Sequence, residues 1–566
     1  MAIIGIDLGT TNSSCAYWNG DQVEIIPNRF NDYLTPSVVG IDETGELIVG
    51  KYASARLLVD PASCTATFKR YMGSKYKVKL GSSTYSATEL SAMILKSLKT
   101  DAEAFLDAPV TESIISVPAY FNDIQRKTTK AAAELVGLKV ERLINEPTAA
   151  ALAYGLHEKP EDAKFIILDL GGGTFDVSLM EYFDGVLEVH ATAGDNYLGG
   201  EDFLQVLVEI YLGKSGHDIE HLSSRDIRKL YSSLELAKRA LSNERAVKIS
   251  GFLAEDDSDI EISRDEFGHA CQHLLARVQV PIERTLRDSG VSPNELSEVI
   301  LVGGATRMQI FRSMITRLFQ LMPTIHLDPD LIVTRGTAIQ AGLKEKNQAL
   351  DDVVLTDVCS YSLGTGVLND NDKRQDMGSL FSPIIERNCV VPISIEKRYF
   401  TSYDNQSEVL VDIYQGESRM VKNNVKLGEI TVKVPRARRG EEAVDVRFSY
   451  DMNGLLEVDV TVVSTGMKKN LQLLNSDCQL SDLELAAASA RLATLKFHPQ
   501  ELEINKELLA RAERLFESSL EEQRVAISLL ISDFESELAT QIPGRIEEAG
   551  KIFKRHLAGY EADRLF

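Results

Sequence analysis

The sequence predicts a multidomain protein of two similar α/β lobes, a compact antiparallel β-domain and a helical C-terminal stretch. Three observations predict it. An apolar strand running into a small-residue turn occurs twice, as Ile3-Ile4-Gly5-Ile6-Asp7-Leu8-Gly9-Thr10-Thr11-Asn12 and as Ile166-Ile167-Leu168-Asp169-Leu170-Gly171-Gly172-Gly173-Thr174-Phe175-Asp176. Apolar residues alternate with period two from Val358 to about Leu474, and helical signals fill Ser481 to Phe566.

Each repeated turn reads as a phosphate hairpin. Gly9 removes the Cβ that would keep backbone N–H groups off phosphate oxygens, Thr10 and Thr11 add hydroxyl donors, and Asp7 can hold a hydrated cation opposite them. One apolar strand ending in Asp-x-Gly fits an ordinary strand and turn equally well. The repeat argues for two lobes gripping one phosphate chain, with Asp7 and Asp169 facing a shared magnesium ion.

At 566 residues the chain exceeds one core and suggests roughly three or four folding units. Its 44% hydrophobic and 26% charged residues are those of a soluble globular protein. No apolar run reaches the roughly 18 residues that a membrane span needs. A net charge of −23 argues against nucleic acid and anionic membranes as partners. Cys15, Cys64, Cys271, Cys359, Cys389 and Cys478 form no close pair in sequence and read as reduced, unlinked thiols. No export segment precedes the first strand, so the expected compartment is the cytosol.

In chain order, Val23 to Pro27 and Ser37 to Ile41 extend the opening sheet. Lys69 either reaches toward phosphate or is a solvated lysine, and composition alone favours the surface. Ala87 to Phe105 carries Leu90, Met93, Ile94 and Leu98 at helical spacing. Strand Glu112 to Val117 closes at Pro118, a polar helix covers Asn122 to Leu135, and strand Glu141 to Ile144 follows. In Asn145 to Gly155, Pro147 suits a helix first turn and Gly155 its end. Its alanines imply close helix packing, and Glu146 at its mouth can order water near a reacting phosphate.

Gly199-Gly200-Glu201 opens a helix whose N–H groups either take a phosphate or merely cap the helix. Glu235, Lys238, Arg239 and Ser242 share one helical stripe, either a solvated face or a polar edge toward a nucleoside. Val299 to Arg307 is a buried strand into Gly303-Gly304, where an adenine can slide against Gly304 with Arg307 stacked on it. Thr334 to Gly342 answers the Asn145 helix. Asp351 to Asp357 is an apolar patch flanked by acids, either an edge strand or a switchable docking segment. In the β-domain, Asn453-Gly454 marks a hairpin. Beyond it, Ser481 and Glu484 form a capping box, and Pro499 and Pro543-Gly544 divide three or four helices.

The motifs at Ile6 to Ser13, Val117 to Asp123, Asn145 to Ala150, Asp169 to Asp176 and Leu301 to Gly304, with the linker and β-domain, closely resemble DnaK-type heat-shock chaperones, most like the HscC branch. The resemblance implies an actin-like two-lobed α/β ATPase domain over 1–348, a linker over 349–358, a β-sandwich substrate-binding domain over 359–480 and an α-helical lid over 481–566. It implies an ATP-dependent chaperone whose clamp on extended apolar client segments opens and closes through the linker, with ATP/ADP, Mg2+ and K+ as cofactors. By position, Lys69 is aimed at the γ-phosphate, Glu146 and Asp169 position water, Thr174 supplies a hydroxyl, and Asp7, Asp169 and Asp176 surround the cation. Gly9, Thr10, Thr11, Asn12, Gly171, Gly172, Gly173, Gly199, Gly200 and Glu201 match its phosphate contacts. Glu235, Lys238, Arg239, Ser242, Gly303, Gly304, Arg307 and Asp330 match its nucleoside contacts.

Pro118 and Arg126 match the family's interlobe switch, and Val353, Val354, Leu355 and Asp357 its linker. A J-domain co-chaperone would bind near Arg142, Asn145, Thr148 and Asp357, and Leu368, Tyr399, Ser402 and Val409 would line the peptide groove. Several departures stand out. The polar run Asn369 to Asp376 and Tyr361 replace a short glycine turn and a leucine, which leaves peptide preference open. Thr356 replaces a linker leucine, and short segments at 72–87 and 255–259 leave the need for a GrpE-like exchange factor open. An actin-superfamily metabolite kinase or an actin-like filament protein would leave the linker, β-domain and helices unexplained.

Overall fold

The computed structural model describes residues 2–156, 162–183, 186–249, 259–324, 327–344, 354–368, 379–472, 500–517, 521–539 and 543–562. In the first lobe, β1 (Ala2–Asp7), β2 (Asn12–Trp18), β3 (Val23–Ile26), β4 (Val110–Val117) and β5 (Lys139–Asn145) lie in the order β5-β4-β1-β2-β3. β1 runs antiparallel to β2 and parallel to β4. Helices α1 (Lys51–Val59), α2 (Ala87–Leu106), α3 (Asp123–Glu134) and α4 (Glu146–Ala153) belong to the same half. Ser86 and Glu89 close a capping box at the start of α2, which fixes where the predicted periodicity becomes helix.

The second lobe repeats this plan. β6 (Ala163–Leu170), β7 (Phe175–Phe183), β8 (Val186–Asp195), β9 (Glu298–Val302) and β10 (Val354–Val358) lie in the order β9-β6-β7-β8-β10. β6 is antiparallel to β7 and parallel to β9, as β1 is to β2 and β4. The lobe's helices include α5 (Gly200–Ser215) and α6 (Ser224–Ala240), whereas α7 (Ile332–Lys344) follows in the chain and packs back onto β1, β2 and β4 of the first lobe. The linker thus resolves into β10, whose Leu355 faces Leu187 of β8. The segment is a strand, paired with β8 through Val354, Leu355 and Thr356. Val353 and the acids at 351–352 lie outside the described residues.

The small residues of α4 and α7 have a steric cause. A Cβ on Gly336 of α7 would lie 1.8 Å from the Ala149 carbonyl oxygen of α4, and a Cβ on Gly5 would lie 2.4 Å from Ala338 N. Ala149, Ala150 and Ala151 share one core with Ile332, Val333 and Ala341, so the lobes meet through two closely crossed helices.

The β-domain contains β11 (Leu363–Val367), β12 (Leu380–Ile385), β13 (Val390–Val391), β14 (Ile393–Phe400), β15 (Glu408–Gln415), β16 (Val425–Lys433), β17 (Ala443–Tyr450), β18 (Leu456–Val462) and β19 (Lys468–Gln472). Two sheets, β12-β11-β15-β16 and β14-β17-β18-β19, enclose the core. The alternating positions Val411, Ile413, Ile430, Val432, Val444, Val446, Phe448, Val458 and Val460 supply that core, as period two requires. β13 pairs instead with the free edge of β10, so one six-stranded sheet runs from the second lobe through the linker into the β-domain.

Helices α8 (Gln500–Glu517), α9 (Glu521–Ala539) and α10 (Pro543–Ala562) pack through Leu508, Leu515, Ile527, Phe534, Phe553 and Leu557. α8 and α10 begin at the prolines that predicted breaks, and α9 begins at Glu521 without one; the capping box at Ser481 and Glu484 lies outside the described residues. Ala510 of α8 packs on the first-lobe cluster of Phe30, Val38, Ile48 and Tyr52. The helical unit is therefore seated on the first lobe.

Gly336→Ala forces a methyl group into the α4 backbone. We expect it to destabilise the two-lobed unit by about 1–3 kcal/mol, visible as a lowered calorimetric midpoint. Gly213→Ala, whose Cβ meets nothing within 4 Å, is the matched control and leaves the midpoint unchanged or higher.

Candidate functional site

The two hairpins close on each other. A Cβ on Gly9 would lie 2.0 Å from the Asn12 carbonyl oxygen, and one on Gly172 would lie 1.8 Å from Thr11 Oγ1 of the opposite hairpin. Only glycine fits either position. Gly173 stands close to Thr10, with a Cβ reaching 2.8 Å from Thr10 Cγ2. Ser37 Oγ donates to Gly9 O at 2.8 Å and Gly171 N donates to Thr174 O at 3.1 Å, which holds each turn in shape. Thr11 Oγ1 is buried without a hydrogen-bond partner among the described residues, as a hydroxyl meant for a phosphate oxygen would be.

Behind the hairpins stands a buried charged set. Lys69 is only 4% exposed and its Nζ donates to Glu146 Oε1 at 3.0 Å, which overturns the surface placement that composition favoured. Asp169, Asp176 and Thr174 are buried beside it. Ser116 Oγ donates to Asp7 Oδ1 at 2.8 Å, and Tyr120 N donates to Asp176 Oδ1 at 3.0 Å. Burial, followed by the negative charge of Glu146, raises Asp7 to about 7 and Asp176 to about 8, and pushes Asp169 well above the usual carboxylate range. Carboxylates this crowded fit a cation. Among the described residues no three acidic, histidine or cysteine side chains stand together to hold a metal directly. Asp7, Asp169 and Asp176 therefore suit Mg2+ carried through water and phosphate oxygens.

The Gly199 turn is used for packing. Gly200 N and Glu201 N donate to the carbonyls of Gly171 and Gly172 at 2.9 and 3.0 Å, so the start of α5 is capped by the second hairpin. Arg70 completes this corner with a 2.6 Å ion pair to Asp202. On α6, Lys238 is buried and donates to Gly200 O at 2.9 Å, while Glu235 bridges Lys238 and Arg239 at 2.6 and 2.9 Å. That stripe is an inward-facing edge, with only Arg239 well exposed. A Cβ on Gly304 would lie 2.4 Å from Asp330 Oδ1, and Arg307 pairs with Asp330 and Asp328 at 2.9 and 2.7 Å. Gly303, at φ 85°, backs onto Leu170 O and Asp169. Ser242 closes the end of α6, its N–H on Arg239 O at 3.1 Å.

The switch and linker residues form one chain of contacts. Arg126, 4% exposed, donates to Asn145 Oδ1 at 2.7 Å, to Ala119 O beside Pro118 at 3.1 Å, and to Asn453 O of the β-domain at 3.4 Å. Asn145 Nδ2 and Thr148 Oγ1 donate to Asp357 Oδ2 at 2.6 and 3.1 Å, and burial raises the Asp357 pKa. Arg142 is on β5 and donates to Gln340 at 2.8 Å. Leu368, Tyr399, Ser402 and Val409 lie at one end of the sandwich, at or just beyond the ends of β11, β14 and β15. Leu368, Phe400, Tyr403 and Leu410 there are 69%, 61%, 59% and 53% exposed, an apolar surface open to solvent. Asn369 to Asp376 lie outside the described residues. Sequence reasoning gave no site role to Ser116, Tyr120 or Asn453: Ser116 reads as an ordinary strand residue, Tyr120 only as part of the Val117 to Asp123 motif, and Asn453 only as a hairpin turn.

Paired phosphate hairpins, a buried lysine and carboxylates, and a strand leading into a β-domain define a two-lobed nucleotide-hydrolysing machine joined to a second binding unit. The family model described as Hsp70 protein matches residues 3–80 and 77–555. The chain is 40% identical to Chaperone protein DnaK of Thermotoga neapolitana over 483 residues, 83% of this chain and 80% of that protein. It is 39% identical to Chaperone protein DnaK of Thermotoga petrophila over the same shares. The chain belongs to the Hsp70 family. It is an ATP-dependent chaperone, and its enzymatic activity is ATP hydrolysis.

The raised carboxylates set a pH dependence. Their protonated forms stabilise the ligand-free fold fully below the ordinary carboxylate value of 3.8, and that stability is lost as pH rises through about 7 and about 8. We expect the ligand-free midpoint to fall between pH 6 and pH 9 in differential scanning calorimetry, Asp176→Asn to flatten the fall, and magnesium nucleotide to restore the midpoint most strongly at the alkaline end.

Proposed function

We propose that nucleotide state in the two lobes controls an extended-peptide clamp in the β-domain, through the docking and release of β10. The observation that carries this reading is the double pairing of β10, parallel to β8 on one edge and antiparallel to β13 on the other. A strand hydrogen-bonded to both units cannot leave one without disturbing the other. The open apolar end of the sandwich, with the helical unit seated on the first lobe, supports the docked arrangement as the open-clamp state. An extended client segment would bind there through backbone hydrogen bonds and an apolar pocket.

In the hydrolytic step, Lys69 would sit against the γ-phosphate, held in direction by its 3.0 Å bond to Glu146. Glu146 and Asp169 would orient the attacking water, and Thr174 would bond a transferring oxygen. Mg2+, which Asp7, Asp169 and Asp176 would hold, and K+ would supply charge neutralisation. The protein's own share is positioning in a buried pocket, where fixed charges act strongly. The adenosine would lie between the α6 edge and Gly304, with Arg307 over the base. The domain limits 1–348, 349–358, 359–480 and 481–566 are part of the same reading, as are a cytosolic location and a J-domain partner touching Arg142, Asn145, Thr148 and Asp357. Such a partner would press on residues that already hold the linker's carboxylate.

The decisive experiment compares release of a fluorescent apolar peptide in ATP and in ADP. The intact chain should release peptide faster in ATP. Leu355→Asp, which puts a charge where Leu355 packs against the interlobe core, should abolish the difference. Thr356→Val removes a buried hydroxyl without a partner among the described residues and should slow peptide capture in ATP by favouring docking. Equal off-rates in both nucleotides for the unaltered chain would sink the clamp reading.

Lys69→Ala tests the hydrolytic assignment separately. Single-turnover hydrolysis should drop by roughly 10²–10³-fold while nucleotide affinity changes far less. An unchanged rate would remove Lys69 from the machinery.

A further inference from the structure

The β10–β13 ladder continues one residue past both strand ends. Asp357 faces Val391 and Val358 faces Val390. On the next rung Cys359 N donates to Cys389 O at 2.9 Å, and Asn388 N donates to Cys359 O at 2.7 Å. Asn388, at φ 63°, is the extra residue of a bulge, which leaves Cys359 and Cys389 as the opposed pair. Two cysteines thirty positions apart in sequence thus meet across the joint between linker and β-domain.

The geometry suits a bond between them. Opposed residues on antiparallel strands carry Cβ atoms about 4.5–5.5 Å apart. A disulfide uses Cα separations of about 4.4–6.8 Å and Cβ separations of about 3.5–4.5 Å, so a small inward shift suffices. Both side chains border the same β-domain core; Cys359 is fully buried and Cys389 half-buried. Burial pushes the Cys359 thiol up to about 12 and Cys389 adds to the rise, while the Cys359 S–H donates to Tyr361 O at 3.0 Å. Cys389 is therefore the thiol that an oxidant meets first, and Cys359 waits behind it. The other described cysteines, Cys15, Cys64 and Cys271, are buried in the lobes' own cores.

We propose that Cys359 and Cys389 are a modification site, forming a reversible intramolecular disulfide under hydrogen peroxide that fastens β10 to β13. The Cys389 sulfur attacks one peroxide oxygen, the O–O bond breaks, and the departing hydroxide takes the thiol proton as water. The resulting sulfenic acid is attacked at sulfur by Cys359; the S–O bond breaks, the S–S bond forms, and the second thiol proton leaves with hydroxide as water. Both sulfurs are oxidised by one electron each and the peroxide is reduced to two waters. A dithiol reductant reverses the bond by exchange. With β10 fastened to β13, only its pairing with β8 remains free to open. This functional consequence rests on the clamp reading above: the ATP and ADP release rates converge.

The test uses the full chain, treated with hydrogen peroxide, alkylated, digested without reductant and mapped by mass spectrometry. A linked peptide pair containing Cys359 and Cys389 is expected, lost on adding dithiothreitol and absent in Cys389→Ser and in Cys359→Ser. The ratio of ATP to ADP off-rates of a fluorescent apolar peptide should fall toward one on oxidation, recover on reduction, and not respond to peroxide in Cys389→Ser. A cross-link to another cysteine or between chains, or a Cys389 sulfinic acid with Cys359 still free to alkylate after unfolding, overturns the site. A mapped disulfide with an unchanged ratio overturns its effect on release. If the reduced chain shows no nucleotide-dependent release, the clamp reading fails, and the peptide map still decides the disulfide.

Discussion

The molecule depends on β10 having both of its edges satisfied. A strand presents unpaired N–H and C=O groups on two sides, and leaving either row buried without partners is costly. β8 pairs with Val354, Leu355 and Thr356, and β13 with Asp357 and Val358, which extends the second lobe's sheet into the β-domain. Its penultimate residue, Asp357, then accepts from Asn145 and Thr148 of the first lobe. The linker is thereby fixed to three bodies through five residues.

That arrangement puts the two jobs of the first lobe side by side. Asn145 ends β5 and Glu146 begins α4. Asn145 faces the linker carboxylate and Arg126, and Glu146 faces Lys69. A shift of the helix mouth that follows the phosphates must move the residue that holds Asp357. Arg126 extends the path to Asn453 of the β-domain, whose side chain also accepts from Leu143 N at 3.0 Å on the same strand, β5. The coupling is a short run of hydrogen bonds around one strand end.

Much of this was legible in the sequence, for reasons that differ by element. The β-domain core positions followed from period two, and the glycines of the hairpins and of α7 followed from contacts that exclude a Cβ, as at Gly172 and Gly336. The repeated strand-turn-strand announced the duplicated lobes. What escaped was whatever depends on distant segments meeting. Lys69 looks like any surface lysine until α4 brings Glu146 to it. The N–H groups at Gly200 and Glu201 look free until the second hairpin's carbonyls cap them. Cys359 and Cys389 look unrelated until a bulge places them on one rung.

The docked arrangement is held by groups that bind weakly or at some expense. Thr356 carries a buried hydroxyl with no partner among the described residues, where an apolar side chain would avoid that penalty. Asp357 is half-buried and desolvation raises its pKa, so even three donors do not fully replace water for its charge. Leu355 and Val358 supply the apolar share of the contact by packing against the core beneath α4 and α7. A joint built this way has favourable and unfavourable terms of similar size. Small differences in nucleotide contact then suffice to shift it, because a two-state equilibrium near balance responds to a ligand's differential affinity of only a few kcal/mol. A wholly apolar linker would dock more tightly and switch less readily.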